Sequence, residues 1–157
     1  MIDMNTIKTR SASLNDLPKL EEFLQLLVAA ERPFDETLKN GKIIYYDLRE
    51  LIESDDAELL VLDDNGSLIG CGYAQIRKAK SYLQYEEYAH LGFMFVVPEY
   101  RGMGLNQQLI TALKSWALSK GIKEVRLEVY EDNTAAVKAY EKAGFRKLLS
   151  TMRCDIG

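Results

Sequence analysis

Val96-Val97-Pro98-Glu99-Tyr100-Arg101-Gly102-Met103-Gly104-Leu105-Asn106 is the stretch that decides how the chain is read. Upstream of it, Tyr88 to Val97 is apolar on both faces, which places a strand centrally in a sheet. Downstream, Leu105, Leu109, Leu113 and Trp116 recur at helical spacing until Gly121 ends the run. The residues between are a glycine-containing strand-to-helix loop. Glycine lets main chain approach a ligand closely. The unpaired N–H groups and dipole of a helix start favour an anion, above all a phosphate. A plain turn would use the same glycines. Two common phosphate patterns fail here. Gly102-Met103-Gly104-Leu105-Asn106-Gln107 lacks the last glycine of G-x-G-x-x-G, as does Gly70-Cys71-Gly72-Tyr73-Ala74-Gln75, and no G-x-x-x-x-G-K-[ST] exists.

Working outward, Thr6 to Ala12 reads as a first strand. A helix follows, with Leu17, Leu20, Leu24, Leu27 and Val28 on one face. Pro18 belongs in its first turn, which favours Asn15 over Ser13 as N-cap and puts Pro18 third in the helix. Pro33 interrupts this helix, and a second is expected over about Asp35 to Ile52. The period then changes to 2. Glu58 to Leu62 and Leu68 to Arg77 flank Asp64-Asn65-Gly66-Ser67, a strong hairpin signal. After the strand and helix around the loop come a strand at Glu124 to Tyr130 and a helix from Asn133 to Ala143. A last strand is expected at Phe145 to Cys154. The order β-α-α-β-β-β-α-β-α-β is α+β with a mixed central sheet, flanked by helices, in one domain over 1–157. Tyr88 to Tyr130 should be a parallel crossover.

The chain has 157 residues, enough to bury a core without metal or disulfide staples. Its 20 basic against 24 acidic side chains give a net charge of −4, which argues against nucleic acid and against anionic lipid. No apolar run is long enough to cross a bilayer, and MIDMNTIKTR has no secretory character, so the cytoplasm is expected. Cys71 and Cys154 should be free, buried thiols. One His and two Cys cannot assemble an N/S zinc site, and no metal is expected.

Val96-x-Pro98 followed by Arg101-Gly102-Met103-Gly104 resembles the acyl-CoA loop of the GNAT superfamily of N-acetyltransferases, whose pattern is Gln/Arg-x-x-Gly-x-Gly/Ala. Arg101 and Gly104 match it, and Asn106 departs from its last position. Leu127-Glu128-Val129, Asn133, Ala136, Tyr140, Lys142 and Gly144-Phe145 are similar to the family's second motif. The two matches together cover about Leu91 to Arg146. The resemblance implies acetyl-CoA as cosubstrate and a primary amine of a small molecule or peptide as acceptor. It implies that main-chain groups near Met94, Phe95 and Val96 pair with the pantetheine arm. The amides of Gly102, Met103, Gly104, Leu105, Asn106 and Gln107 would cradle the pyrophosphate, and Arg101 would belong to the same cosubstrate-binding loop. Asn133 would contact the cosubstrate, and Tyr140 would lie near its sulfur. Asn106 is tolerable if that position is left-handed, since Asn adopts this backbone more readily than most residues.

Acetyl transfer makes three demands. The acceptor amine must lose its proton before attack, the oxyanion needs a donor such as a strand N–H, and the departing thiolate needs a proton. Tyr140 suits the last role as general acid, because a phenol is protonated at pH 7. Its bland alternative is aromatic packing beside Ala136 and Val137, and Asn133 equally suits a helix N-cap. Glu128 is a candidate base, with pairing to Arg126 as its structural alternative. His90 is a weaker candidate, suited to proton relay by its ordinary pKa. Water-mediated deprotonation is a third route. The acidic residues Asp55, Asp56, Glu58, Asp63 and Asp64 read as solvated surface. The rival to an enzyme is a non-catalytic acyl-CoA-binding sensor or partner domain. A homodimer is an expectation from general frequency and not from any residue.

Overall fold

A computed structural model describes residues 1–157. Five strands form one sheet in the order β1-β2-β3-β4-β5: β1 (Ile7–Ser11), β2 (Ala57–Asp64), β3 (Ser67–Lys78), β4 (Glu87–Val96) and β5 (Val125–Leu127). Pairing is antiparallel up to β4 and parallel between β4 and β5, as the crossover predicts. Helices α1 (Leu17–Glu31) and α2 (Leu48–Glu53) precede β2, α3 (Leu105–Ser119) joins β4 to β5, and α4 (Thr134–Lys142) follows β5. The α+β class and mixed sheet read from the sequence are the ones observed.

Each face of the sheet carries its own core. On one, Leu20, Phe23, Leu24 and Val28 of α1 pack with Leu48 and Leu51 of α2 on Tyr73, Phe93 and Phe95. On the other, Leu105, Leu109 and Leu113 of α3 pack on Leu62, Ala89, Leu91 and Val96. A leucine such as Leu109 or Leu113, wholly buried here, contributes about 1.5–3 kcal/mol.

β4 changes face part-way. Ala89 and Leu91 belong to the α3 side, but Phe93 and Phe95 belong to the α1 side. Strict alternation would have kept all four together. A register shift opposite Cys71 and Tyr73 accounts for the switch, and Phe93 there has φ 55°. One extra residue in a strand turns every later side chain over. Gly72 makes room for the bulge, since a Cβ on it would stand 2.5 Å from Met94 Sδ.

Several expectations are corrected. Asp16 accepts from Ser13 N at 2.8 Å and pairs with Arg10 at 2.9 Å, so a short 3-10 turn, Leu14–Asp16, comes first. Helix α1 therefore starts at Leu17, with Pro18 second and Asp16, not Asn15, at its cap. The expected helix from Asp35 shrinks to α2. Arg32 donates to the carbonyls of Lys39 (2.7 Å) and Gly41 (2.6 Å), and Gly41 at φ 80° cannot continue a right-handed helix. β5 is three residues long instead of seven. The last strand, Phe145 to Cys154, does not form. Leu148, Leu149 and Met152 are exposed, because no strand edge lies alongside to pair with this segment. Both cysteines are free, but Cys154 is exposed and only Cys71 is buried.

Candidate active site

β4 and β5 pair only at Ala89–Val125, His90–Arg126 and Leu91–Leu127. β4 continues to Val96 with β3 on its other side, so Gly92 to Val96 has a partner strand on one side only. Main-chain groups along a strand face alternate sides. A Cβ on Gly70 would stand 2.8 Å from the Phe95 carbonyl, and Val97 N donates to Ile69 O, so residues 95 and 97 face β3. Residues 94 and 96 therefore face the gap where β5 has ended. The Val96 carbonyl is taken by Arg101 Nε at 2.8 Å. Met94 shares that outward direction, with no partner strand beside it.

The strand runs into the glycine loop. Gly102 (φ 77°) and Gly104 (φ 80°) are both left-handed, and no atom lies within 4 Å of where a Cβ would sit on either. The first helical bond of α3 runs from Gln108 N to Gly104 O, and no side chain caps the helix. The amides of Leu105, Asn106 and Gln107 are thus unclaimed at the positive end of a 15-residue helix. Asn106 is the second residue of α3 in right-handed conformation, so it needs no left-handed tolerance. Leu105 is buried and offers only its amide. Met103 is partly exposed. Arg101 lies over the Phe95 ring at 5.7 Å, which with its Val96 bond ties the loop to the strand end.

A second tie comes from residues read as solvated surface. Tyr100 donates to Asp64 Oδ2 at 2.6 Å, and Thr6 donates to the same carboxylate. Those bonds hold the Asp64 carboxyl below its usual range. Asp63 likewise pairs with Arg10 at 3.0 Å.

α4 is fastened beside α3. Gln107 Nε2 donates to Ala139 O at 2.9 Å, and Lys114 Nζ donates to Ala143 O at 2.5 Å. Asn133 caps α4 by accepting from Ala136 N at 3.3 Å. Tyr140, next after Ala139, packs edge-on to Phe145 at 5.9 Å. Burial first, and then the Glu31 carboxylate, push its pKa up to about 12. Its hydroxyl makes no hydrogen bond within the protein.

The two candidate bases are placed differently. Glu128 is exposed, just beyond the end of β5. His90 sits in register with Gln75 and Arg126, on the face of Tyr73, whose ring is 6.1 Å away. Burial, and then Arg77, bring its pKa down to about 4, so the imidazole is neutral at pH 7 and a weak base.

Sequence reading missed a further group on the α1 side. Phe34 stacks on Tyr130 at 6.1 Å, and Tyr130 donates to Asp35 Oδ2 at 3.3 Å. Glu31, Tyr45 and Tyr46 complete it. The segment was read as helix, which hid Tyr45 among core positions, and nothing in the local pattern marked Glu31.

A strand pair that parts beside an uncapped, glycine-led helix defines a fold shaped for a long cosubstrate with an anionic end. Residues 20–145 match the model of the Acetyltransferase (GNAT) family, and the chain belongs to that family. It is 29% identical over 147 residues to an uncharacterised N-acetyltransferase of Methanocaldococcus jannaschii, covering 91% of this chain and 63% of that protein. The chain thus spans less than two thirds of that relative. It is 28% identical over 104 residues to an aminoglycoside N(6')-acetyltransferase type 1 of Salmonella typhimurium, covering 64% of this chain and 70% of the relative. A predicted acetyltransferase of Clostridium acetobutylicum, solved with acetyl-CoA, superposes with a TM-score of 0.73 at 15% identity over 95% of this chain and 96% of its own. No helix is long and apolar enough to cross a membrane.

Proposed function

We propose that the chain transfers the acetyl group of acetyl-CoA to a primary amine of a small cationic molecule. The observation that carries this is the continuous path from the one-sided stretch of β4, through Gly102 and Gly104, to the free amides of α3. An extended amide-bearing arm suits the first part and a pyrophosphate suits the second. Family membership supports the reaction. The aminoglycoside-acetylating relative and the net charge of −4 support a cationic, small-molecule acceptor.

In the reaction, the lone pair of the neutral acceptor nitrogen attacks the thioester carbonyl carbon and a C–N bond forms. The carbonyl oxygen takes the negative charge, and the N–H of Met94, facing the gap beside β4, is the donor we assign to it. The tetrahedral intermediate collapses, the C–S bond breaks, and its electron pair leaves with sulfur. Tyr140 gives its proton to that thiolate. The acceptor nitrogen sheds its surplus proton to water, which restores the tyrosine through solvent. His90 at about 4 is too weak to hold that proton at pH 7.

Acetyl-CoA, ATP and NAD, each compared by thermal unfolding at equal concentration, test the cosubstrate. A ligand at 100 times its Kd adds about 2.7 kcal/mol to stability. Acetyl-CoA should raise Tm and the other two should not. Equal shifts from all three would remove this reading.

A further inference from the structure

After Leu91 and Leu127 the parallel pair β4–β5 parts. Ala89 faces Val125, so keeping step would set Glu128 against Gly92 and Tyr130 against Met94. Tyr130 is held elsewhere. Its ring stacks on Phe34, with centroids 6.1 Å apart and planes at 22°, and its hydroxyl donates to Asp35 Oδ2 at 3.3 Å. Its carbonyl accepts from Asn133 N at 3.0 Å, which turns the chain towards α4. The anchor on the other side is fixed before Tyr130 reaches it. Pro33 lies in a 3-10 turn, Arg32–Phe34, closed by Asp35 N donating to Arg32 O at 3.2 Å. Asp35 accepts from Thr37 N at 2.9 Å and Thr37 Oγ1 at 2.6 Å, and Arg153, reaching in from the C-terminal segment, supplies its counter-charge at 3.0 Å. The Asp35 side chain is only 17% exposed, so its carboxylate is committed to these partners more than to water. Unpaired main-chain groups on a strand edge seek partners, and a gap between neighbouring strands keeps one width only where both walls are held. The register shift at Phe93 shapes the β4 wall, and the contacts of Tyr130 hold the other.

We propose that Phe34 and Asp35 are positioning residues for the cosubstrate: through Tyr130 they clasp the continuation of β5 away from β4, so that the gap is set before acetyl-CoA arrives. This rests on the acetyltransferase reading above. The clasp acts by raising the fraction of molecules whose gap is ready, and apparent affinity scales with that fraction. One hydrogen bond to a partly exposed carboxylate corresponds to about a 3- to 10-fold change. The clasp takes no part in the proton transfers.

The test uses the full chain and the variants Tyr130→Phe, Asp35→Ala, their double variant and Asp35→Asn. Calorimetry reads the binding of CoA, and displacement reads that of pantetheine, which lacks the pyrophosphate end. Tyr130→Phe and Asp35→Ala should each weaken both ligands by the same factor, about 3- to 10-fold. The double variant should be no weaker than Asp35→Ala, because both changes remove one bond. Asp35→Asn keeps an oxygen that accepts from Tyr130 and should recover most of the loss. Without ligand, the amides of Glu128 to Tyr130 should exchange faster in Tyr130→Phe than in the wild type, and CoA should remove that difference. Thermal unfolding verifies folding. Tyr130→Phe keeps the ring and its stack, so it carries the comparison if Asp35→Ala does not fold. Unchanged affinity in folded Tyr130→Phe, a loss for CoA but not for pantetheine, or unchanged exchange would each overturn the proposal. Absence of CoA binding to the wild type would instead sink the acetyltransferase reading, and the exchange measurement, made without ligand, still decides whether the clasp holds this segment.

Discussion

Tyr140 keeps its proton through the whole range in which the protein is handled, because burial and Glu31 hold its pKa near 12. Tyr140→Phe removes the hydroxyl and keeps the ring against Phe145. Where chemistry limits turnover, kcat should fall about 10²–10⁴-fold with little change in the KM for acetyl-CoA. No descending limb of kcat assignable to this residue should appear below about pH 11, a point the sequence alone, with its ordinary phenol value, would misplace. A variant with wild-type kcat would return Tyr140 to a packing role. His90 carries a separate prediction, on stability. Its folded pKa, about 4, lies below the unfolded value near 6.5. The contribution of the neutral imidazole is complete above pH 6.5 and is lost as pH falls through 6.5 towards 4. Denaturant titrations of wild type and His90→Asn across pH 4 to 7 should show the variant losing less stability over that window. Parallel curves would mean that His90 is not held neutral by the fold. The helix cap of Asn133 and the place of Tyr140 on α4 were legible in sequence because each sits in a spaced motif. The group of Phe34, Asp35 and Tyr130 was not, since it joins segments far apart in the chain.

At the scale of elements, the loop and the bulge carry the account. Gly104 at φ 80° is open on the side a Cβ would occupy, so a side chain there meets no protein atom and projects into free space beside the helix start. Gly104→Val adds backbone strain of about 1–2 kcal/mol, whereas Gly104→Asn tolerates that conformation. Both should weaken CoA binding in calorimetry by more than they weaken the fold, and Asn is the cleaner test. Unchanged CoA affinity in folded Gly104→Asn would place the pyrophosphate elsewhere. Asp64 anchors this loop from β2 through Tyr100. Tyr100→Phe should weaken CoA binding several-fold while Tm drops little, and an unaltered Kd would mean that the tie does not position the loop. The β4 bulge explains why periodicity failed locally. The strand β4 reads as apolar on both faces, and the extra residue at Phe93–Met94 changes which core its later side chains enter. Short apolar runs hide such an insertion, because either face of a central strand is buried.

Over the whole molecule, the hairpin, the parallel crossover and the strand–loop–helix proposed to bind the cosubstrate could be read from pattern, because each has a local cause in turn residues or periodicity. The segment from Phe145 onward could not. Its alternation predicts a strand, but a strand needs a partner, and the sheet described here offers none beyond the three residues of β5. The region between α1 and β2 was equally opaque, since Arg32 bridging to Lys39 and Gly41 replaces helical bonds with contacts no propensity encodes. No motif marks that region, so the sequence suggested a cosubstrate by resemblance and left the amine open. The central claim is that this fold, with its parted strands and phosphate-binding helix start, turns acetyl-CoA over on an amine. Release of CoA thiol in the presence of acetyl-CoA and a panel of mono-, di- and polyamines, with the acetylated amine identified by mass spectrometry, measures it directly. The account predicts amine-dependent thiol release that is lost in Tyr140→Phe. Tight CoA binding with no thiol release on any amine would contradict it and leave an acyl-CoA-binding domain without turnover.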